Sequence, residues 1–183
     1  MSCLRLESER LLLRPPEEAD IPHIGPLIGD WDVVKNLSRA PYPYREEHAR
    51  EFLARSAESR AKGEAYNFAI TRKVDAAYMG QVGLHLKDGA FEIGYWLGKP
   101  YWKMGYATEA GRRTMQFAFG ELKAVKLIAG WFHDNPASGH VLEKLGFAPD
   151  GADQRDCLAR GHTVYCHKVK LKRADFESKR VAA

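Results

Sequence analysis

Long apolar runs are missing from this chain. None approaches the roughly 18 residues that a membrane-crossing helix needs. The longest strongly apolar run near the start is Leu11-Leu12-Leu13, and the first ten residues carry Arg5, Glu7, Glu9 and Arg10 where a secretory leader would be apolar. Cysteine is scarce too. Cys3, Cys157 and Cys166 are odd in number and lack framework spacing, which excludes a small disulfide scaffold and points to reduced thiols in a cytoplasmic setting. The chain also lacks internal repeats, low-complexity stretches, the dinucleotide fingerprint and the P-loop. What is present is globular in kind: 183 residues, 45% hydrophobic and 28% charged, enough for one domain over 1–183 with a sizeable core.

Two local features invite other functions. Cys157, His162, Cys166 and His167 could be read as a metal site. On an alternating strand His162 and Cys166 share a face while His167 points the other way, and the spacing matches no recognised ligand pattern, so no metal is expected. Charge gathers at the end of the chain. Residues 155–183 hold eight Lys and Arg against three acids, although the whole chain is only +4. Lys168, Lys170 and Lys172 alternate on one strand face, which reads as a solvated sheet edge guarded by lysines. Without interleaved aromatics or a helix motif, this stretch argues against nucleic-acid binding.

The periodicities give an ordered series of elements. Leu11 to Pro15 reads as a strand end. Glu17 to Ile28 is weakly helical and broken by Pro22 and Pro26, and Trp31 to Tyr44 is loop-like. Arg45 to Lys62 is a helix with Ala49, Phe52, Leu53 and Ala57 on its apolar stripe, stopped by Gly63. Ala65–Thr71, Tyr78–Leu86 and Phe91–Leu97 are three strands joined by short turns, hence antiparallel. The helix Ala107–Phe119 and strand Val125–Phe132 then suggest a right-handed crossover to a parallel partner. Pro136–Leu145 is a helix ended by Gly146, and Phe147–Lys170 holds two more strands turning near Arg160-Gly161.

Chemistry concentrates in two stretches. Trp102-Lys103-Met104-Gly105-Tyr106-Ala107-Thr108-Glu109-Ala110 joins a strand to a helix through a glycine turn. First-turn amides have no intrahelical partner and sit at the positive end of the helix dipole, so such a loop can cradle an anion such as a pyrophosphate. The plainer alternative is a turn glycine at a helix start. The second stretch is Asn135-Pro136-Ala137-Ser138, running on to Glu143-Lys144-Leu145-Gly146-Phe147. Asn135 is either an ordinary N-cap before a first-position proline, or an amide at a strand end that could bond an amide-rich ligand.

In this order and spacing, together with Glu9-Arg10-Leu11-Leu12-Leu13-Arg14-Pro15 and Phe91-Glu92-Ile93-Gly94-Tyr95-Trp96-Leu97, these stretches resemble the GNAT superfamily of acyl-CoA-dependent N-acetyltransferases. They also resemble the branch of the ribosomal-protein N-terminal alanine and serine acetyltransferases. The resemblance runs from about Glu9 to Phe176. It implies an α/β fold with a mixed sheet of about six or seven strands, a central splayed parallel pair and about four helices. It implies acetyl-CoA as co-substrate, its pantetheine arm between the splayed strands on backbone groups of Trp96 and Leu97 and on Asn135. The pyrophosphate would lie on the amides of Lys103, Met104, Gly105, Tyr106, Ala107 and Thr108. Many relatives carry a general-acid tyrosine four residues before the Gly-Phe; here that residue is Leu142, and Ser138 is the nearby hydroxyl left to replace it. A homodimer is compatible with the family.

An alkyl amine must lose a proton before it attacks a thioester. Glu92, on the same strand face as Gly94 and Trp96, is the candidate to relay that proton, and a backbone N–H near Trp96 or Leu97 would polarise the thioester carbonyl. Trp31 and Tyr44, with Tyr42, Pro41 and Pro43, are expected to wall the acceptor side, which suits the α-amino group of a peptide or amino acid better than a polyamine or aminoglycoside. Two alternatives stay open on the residues: a non-catalytic acyl-CoA sensor on the same fold, and aromatics that only plug the core.

Overall fold

The computed structural model describes residues 4–181, so Cys3 lies outside the described residues. Strands β1 (Leu6–Glu7), β2 (Leu11–Arg14), β3 (Ala65–Arg72), β4 (Tyr78–Lys87), β5 (Ala90–Leu97), β6 (Lys126–Phe132), β7 (Ala148–Cys157) and β8 (His162–Lys172) form one sheet in the order β1-β2-β3-β4-β5-β6-β8-β7. All neighbours are antiparallel except β5 and β6. On one face lie α4 (Tyr106–Gly120), α5 (Pro136–Leu145) and α6 (Arg173–Val181), burying Leu11, Phe68, Ile70, Leu84, Ile93, Met115, Phe117, Leu127 and Leu142. On the other lie α1 (Ile21–Ile28), α2 (Trp31–Val34) and α3 (Glu46–Ala61), over a smaller cluster of Ile24, Ile28, Val34, Ala49, Ala69 and Tyr78. No helix among the described residues is long and apolar enough to cross a membrane.

Local chemistry accounts for the turns that matter. Asp88 and Gly89 between β4 and β5 both take positive φ (49° and 76°), the turn whose twist matches that of the flanking strands. Pro136 sits in the first turn of α5, and Gly146, left-handed at φ 96°, ends it.

Four expectations need correction. The sheet has eight strands because the two-residue β1 adds to β2, and α6 is a further helix. Pro22 and Pro26 do not break α1: Pro22 is in the first turn, where no N–H partner is lost, and burial of Ile21, Ile24 and Ile28 outweighs the bond missing at Pro26. The stripe of α3 runs through Ser56 rather than Ala57; Ser56 is buried and accepts from Asn67 Nδ2 at 3.1 Å, while Ala57 is exposed. The lysine strand β8 is not an edge, since the hairpin folds it back between β6 and β7, where Lys170 bonds Asp150 at 2.6 Å. In the segment Trp31 to Tyr44, the one-turn helix α2 starts where Asp30 accepts from the Asp32 N–H at 2.8 Å.

Candidate active site

The parallel pairing of β5 with β6 holds only at Phe91–Leu127 and Glu92–Ile128. Beyond it the strands part. Gly98 N–H bonds Met79 O at 2.9 Å, so by alternation the backbone groups of Gly94 and Trp96 turn to β4, and those of Ile93, Tyr95 and Leu97 turn to the opening. This corrects the place expected for Trp96: its carbonyl faces Gly80, where a Cβ would stand 2.1 Å from the oxygen. Leu97 does face the opening, with its carbonyl accepting from Trp102 Nε1 at 2.7 Å. Backbone groups at such a depth need partners, and no strand supplies them here.

At one end of the opening the chain curls into α4. Lys103 (φ 61°) and Gly105 (φ 82°) are both left-handed, which turns successive amides inward. No protein acceptor meets the N–H groups of Lys103 to Thr108 among the described residues. Arg10 braces this loop. Its Nε bonds Glu109 Oε2 at 2.7 Å, its Nη1 donates to Met104 O at 3.0 Å, and its guanidinium lies 4.4 Å from the Tyr106 ring centre. Glu109 also accepts from Ser8 Oγ at 2.7 Å and the Arg10 N–H at 2.8 Å. Burial works to raise the Glu109 pKa, but these bonds outweigh it and hold the carboxyl below its ordinary range.

Across the opening, just after the carboxyl end of β6, Asn135 precedes α5 but its side chain does not cap the helix, so the N-cap explanation does not account for it. The Tyr95 hydroxyl crosses from β5 to α5, donating to Ser138 O at 3.0 Å and lying 3.1 Å from Ser138 Oγ. Burial pushes the Tyr95 phenol up to about 12, with the Ser138 bond opposing, so it remains a proton donor through the neutral range. Leu142, where relatives would carry a tyrosine, is fully buried in the core.

On the α1–α3 face, three glycines line up across three strands. Gly83 pairs with Gly94, and continuing the β5–β6 register sets Gly94 opposite Gly130. Nothing stands within 4 Å of a Cβ placed on Gly94. The row is bounded on one side by His85, Glu92 and Ile128 and on the other by Gln81, Trp96 and Phe132. The Arg155 side chain, from β7, reaches over Gly130 to bond Glu92; a Cβ on Gly130 would stand 3.0 Å from Arg155 Nη2 and 2.8 Å from Cys166 Sγ. Burial disfavours the Arg155 charge, but the paired Glu92 carboxylate reverses this and raises its pKa.

Trp31 and Tyr44 separate. Trp31 is exposed and packs edge-on to Tyr42 at 5.2 Å. It lines an open cleft of about 330 Å³ with Lys35, Asp134, Arg160 and His162. Tyr44 is half-buried against His48 and the small cluster, where burial lifts its phenol to about 12. Cys157 and His162 are register partners across β7 and β8, but no three such side chains among the described residues group as metal ligands. Cys157 and Cys166 are buried thiols, His167 stacks on Trp131 at 4.2 Å, and His162 Nδ1 lies 2.9 Å from Arg160 O.

A family model described as an acetyltransferase (GNAT) domain matches residues 10–148. The chain belongs to the GNAT family of acyl-CoA-dependent N-acetyltransferases. The probable N-acetyltransferase YjcK of Bacillus subtilis (strain 168) is 32% identical over 163 residues, covering 85% of this chain and 90% of that protein. Among solved structures, the ribosomal-protein-S5-alanine acetyltransferase from Vibrio fischeri superposes with a TM-score of 0.80 at 18% identity, covering 94% of this chain and 98% of that one. Mycobacterium smegmatis RimJ, in complex with CoA-disulfide, gives 0.80 at 18% identity, with 95% and 87% covered. At that identity the two structures speak for the fold.

Within this GNAT chain, the glycine-loop residues, Asn135, Ser138 and Leu97 do gather along one opening, and Glu92 lies on the sheet face beside it. Sequence reading missed Arg10, His85, Tyr95 and Arg155. Tyr95 and His85 were legible in principle from strand alternation once the neighbours of β5 were fixed. Arg155, 63 residues from Glu92 along the chain, carried no local signal.

Proposed function

We propose that this protein transfers the acetyl group of acetyl-CoA to the α-amino group of a peptide or amino acid, by direct attack and without a covalent enzyme intermediate. The observation that carries the reading is the opening between β5 and β6. It offers backbone groups of Tyr95 and the Leu97 N–H that no strand pairs, the Asn135 amide that does not cap α5, and the free amides of residues 103–108. That sequence of donors and acceptors fits a pantetheine arm followed by a pyrophosphate. Acetyl-CoA supplies the activated acyl carbon. The Leu97 N–H polarises the thioester carbonyl. Ser138, bonded to Tyr95, passes a proton to the departing sulfur. Glu92, paired with Arg155, draws in the acceptor ammonium and relays its proton through water.

The choice of acceptor rests on charge pairing around the Trp31 cleft. Asp32 is engaged by Lys35 and Lys99 at 2.7 and 2.6 Å, and their bonds lower its pKa to about 2. Asp134 is forked by Arg160 at 2.7 and 3.1 Å. These carboxylates are already taken, which leaves little to attract a polycation, whereas the exposed Trp31 ring offers an apolar wall that suits a peptide. Thiol release from acetyl-CoA across short peptides, amino acids, spermidine and an aminoglycoside tests this. Peptides or amino acids are expected to turn over, with Trp31→Ala lowering their kcat/KM roughly tenfold. Turnover of spermidine or the aminoglycoside with no peptide product would overturn the choice of acceptor.

A further inference from the structure

We infer that His85 is the group that finally takes the acceptor's proton, a catalytic base standing across the glycine row from the sheet opening. This rests on the proposed acetyl transfer to an amine, with the reacting amine placed in the open space over Gly94. His85 is the register partner of Glu92 on the neighbouring strand, so the two side chains leave the sheet on the same face. Its Nε2 leans over Gly83, 3.3 Å from where a Cβ would stand, and beside it the space over Gly94 is open. No hydrogen bond among the described residues reaches its ring, whereas the Glu92 carboxylate is engaged by Arg155. A carboxylate held by a guanidinium is a weak base, while an imidazole with a free nitrogen is a competent one.

The charged groups that bear on the ring agree with this. Burial, helped by the positive charge of Arg39, lowers the His85 pKa below the ordinary 6.5, and Glu92 opposes with a smaller effect. Lys87, at 3.9 Å, and Arg155 both act on Glu92 and temper its pull. The imidazole is therefore neutral at pH 7 and ready to accept, and the nearby carboxylate steadies the cation once formed.

The proton inventory closes. The acceptor ammonium gives one proton, by way of water beside Glu92, to His85 Nε2, and the freed lone pair forms the C–N bond at the thioester carbon. As the C–S bond breaks, a second ammonium proton reaches the sulfur through the Ser138 hydroxyl. His85 returns its proton to water, so an ammonium and a thioester become an amide, a thiol and one released proton.

The test uses acetyl-CoA with a tetrapeptide bearing a free N-terminal serine, or whichever amine of the panel turns over, across the range from about pH 5.5 to about pH 9. His85→Gln is expected to lower kcat at neutral pH roughly ten- to a hundredfold, with the affinity for acetyl-CoA unchanged. Its acidic limb should move up toward the pKa of the amine itself, about 8. Added imidazole should partly restore His85→Ala, which a structural role would not allow. His85→Gln within about twofold of wild type and with the same acidic limb would overturn the inference. Glu92→Gln separates the two readings: if Glu92 alone carries the proton, only Glu92→Gln loses rate; if Glu92 has no role, only the His85 variants do. Imidazole NMR decides even without turnover, because a His85 ring protonated at pH 7 in the acetyl-CoA complex would also overturn the proposal.

Discussion

The two sides of the opening between β5 and β6 are built from different materials. On the α4–α5 side the groups are mostly main chain: the amides of 103–108, the backbone of Tyr95 and Leu97, and one side-chain amide from Asn135. On the α1–α3 side they are side chains from separate strands, with His85 on β4, Glu92 on β5 and Arg155 on β7, and with open space over Gly94. Main-chain sites are specified by a short local run that sets the backbone path. Side-chain sites are specified by register across a sheet. The first kind should be broken by backbone changes and tolerate side-chain changes; the second should do the reverse.

The largest expected effect tests the first half of that contrast. Gly105 sits at φ 82°, where a β-branched residue is strained, and its missing Cβ leaves only Arg10 Nη2, 3.4 Å away, beside the amide cradle. Gly105→Val should both shift the loop and fill the cradle. Binding of acetyl-CoA, followed by calorimetry, should weaken at least a hundredfold, on the order of 3 kcal/mol, while circular dichroism shows the fold retained. Lys103→Ala should cost far less, because its side chain is an auxiliary charge. Equal losses in the two variants would mean that the side chains, not the amides, hold the phosphates.

The same contrast explains what the sequence disclosed. The strands β3, β4 and β5, the crossover through α4 and helix α5 were legible within a residue or two, because alternation, Asp88-Gly89, Pro136 and Gly146 are local signals. So was the glycine turn that starts α4, whose shape lies in its own backbone. The kinship of Arg155 with Glu92 was not, since it depends on β8 folding back inside β7 and on Gly130 leaving a path. The same inserted strand defeated the reading of Lys168, Lys170 and Lys172 as an edge. The helix α1 was misjudged for a related reason. Local propensity against Pro26 was overridden by the burial of Ile24 and Ile28 beneath it, which no local rule weighs.

The second half of the contrast is tested at Gly130. Its backbone is ordinary β-strand, so a substitution there acts only through space. A Cβ would meet Cys166 Sγ at 2.8 Å, closer than real Cβ contacts allow, and Arg155 Nη2 at 3.0 Å, tight enough that the guanidinium must give way. Gly130→Ala is expected to push Arg155 off Glu92, lower kcat roughly tenfold and leave acetyl-CoA affinity within about twofold. Arg155→Met, which empties the same path, should reproduce that loss of kcat. If Gly130→Ala instead weakens acetyl-CoA binding and spares turnover, the two faces are not independent, and the division into main-chain and side-chain halves fails.

The smallest effect falls on Arg10, where a side chain serves the main-chain half. Its guanidinium ties Glu109 in the first turn of α4 to Met104 O in the loop, and strand β2 follows directly from it. Arg10 is 43% exposed, so water screens the pair and its removal should cost only about 1 kcal/mol of stability. Glu109 has a lowered folded-state pKa, so its contribution to stability is present above the ordinary carboxylate range and fades as pH falls through that lowered value. Arg10→Ala removes the guanidinium hydrogen bond and its positive charge, two of the influences that lower it, while the Arg10 N–H and Ser8 bonds remain. The variant should therefore lose less stability than wild type on acidification, with the two melting temperatures converging at low pH. Its acetyl-CoA affinity should drop only a few-fold, roughly 1 kcal/mol. Parallel melting curves at all pH values would show that Glu109 is held by Ser8 and the backbone alone, and that the phosphate loop keeps its shape without a side-chain brace.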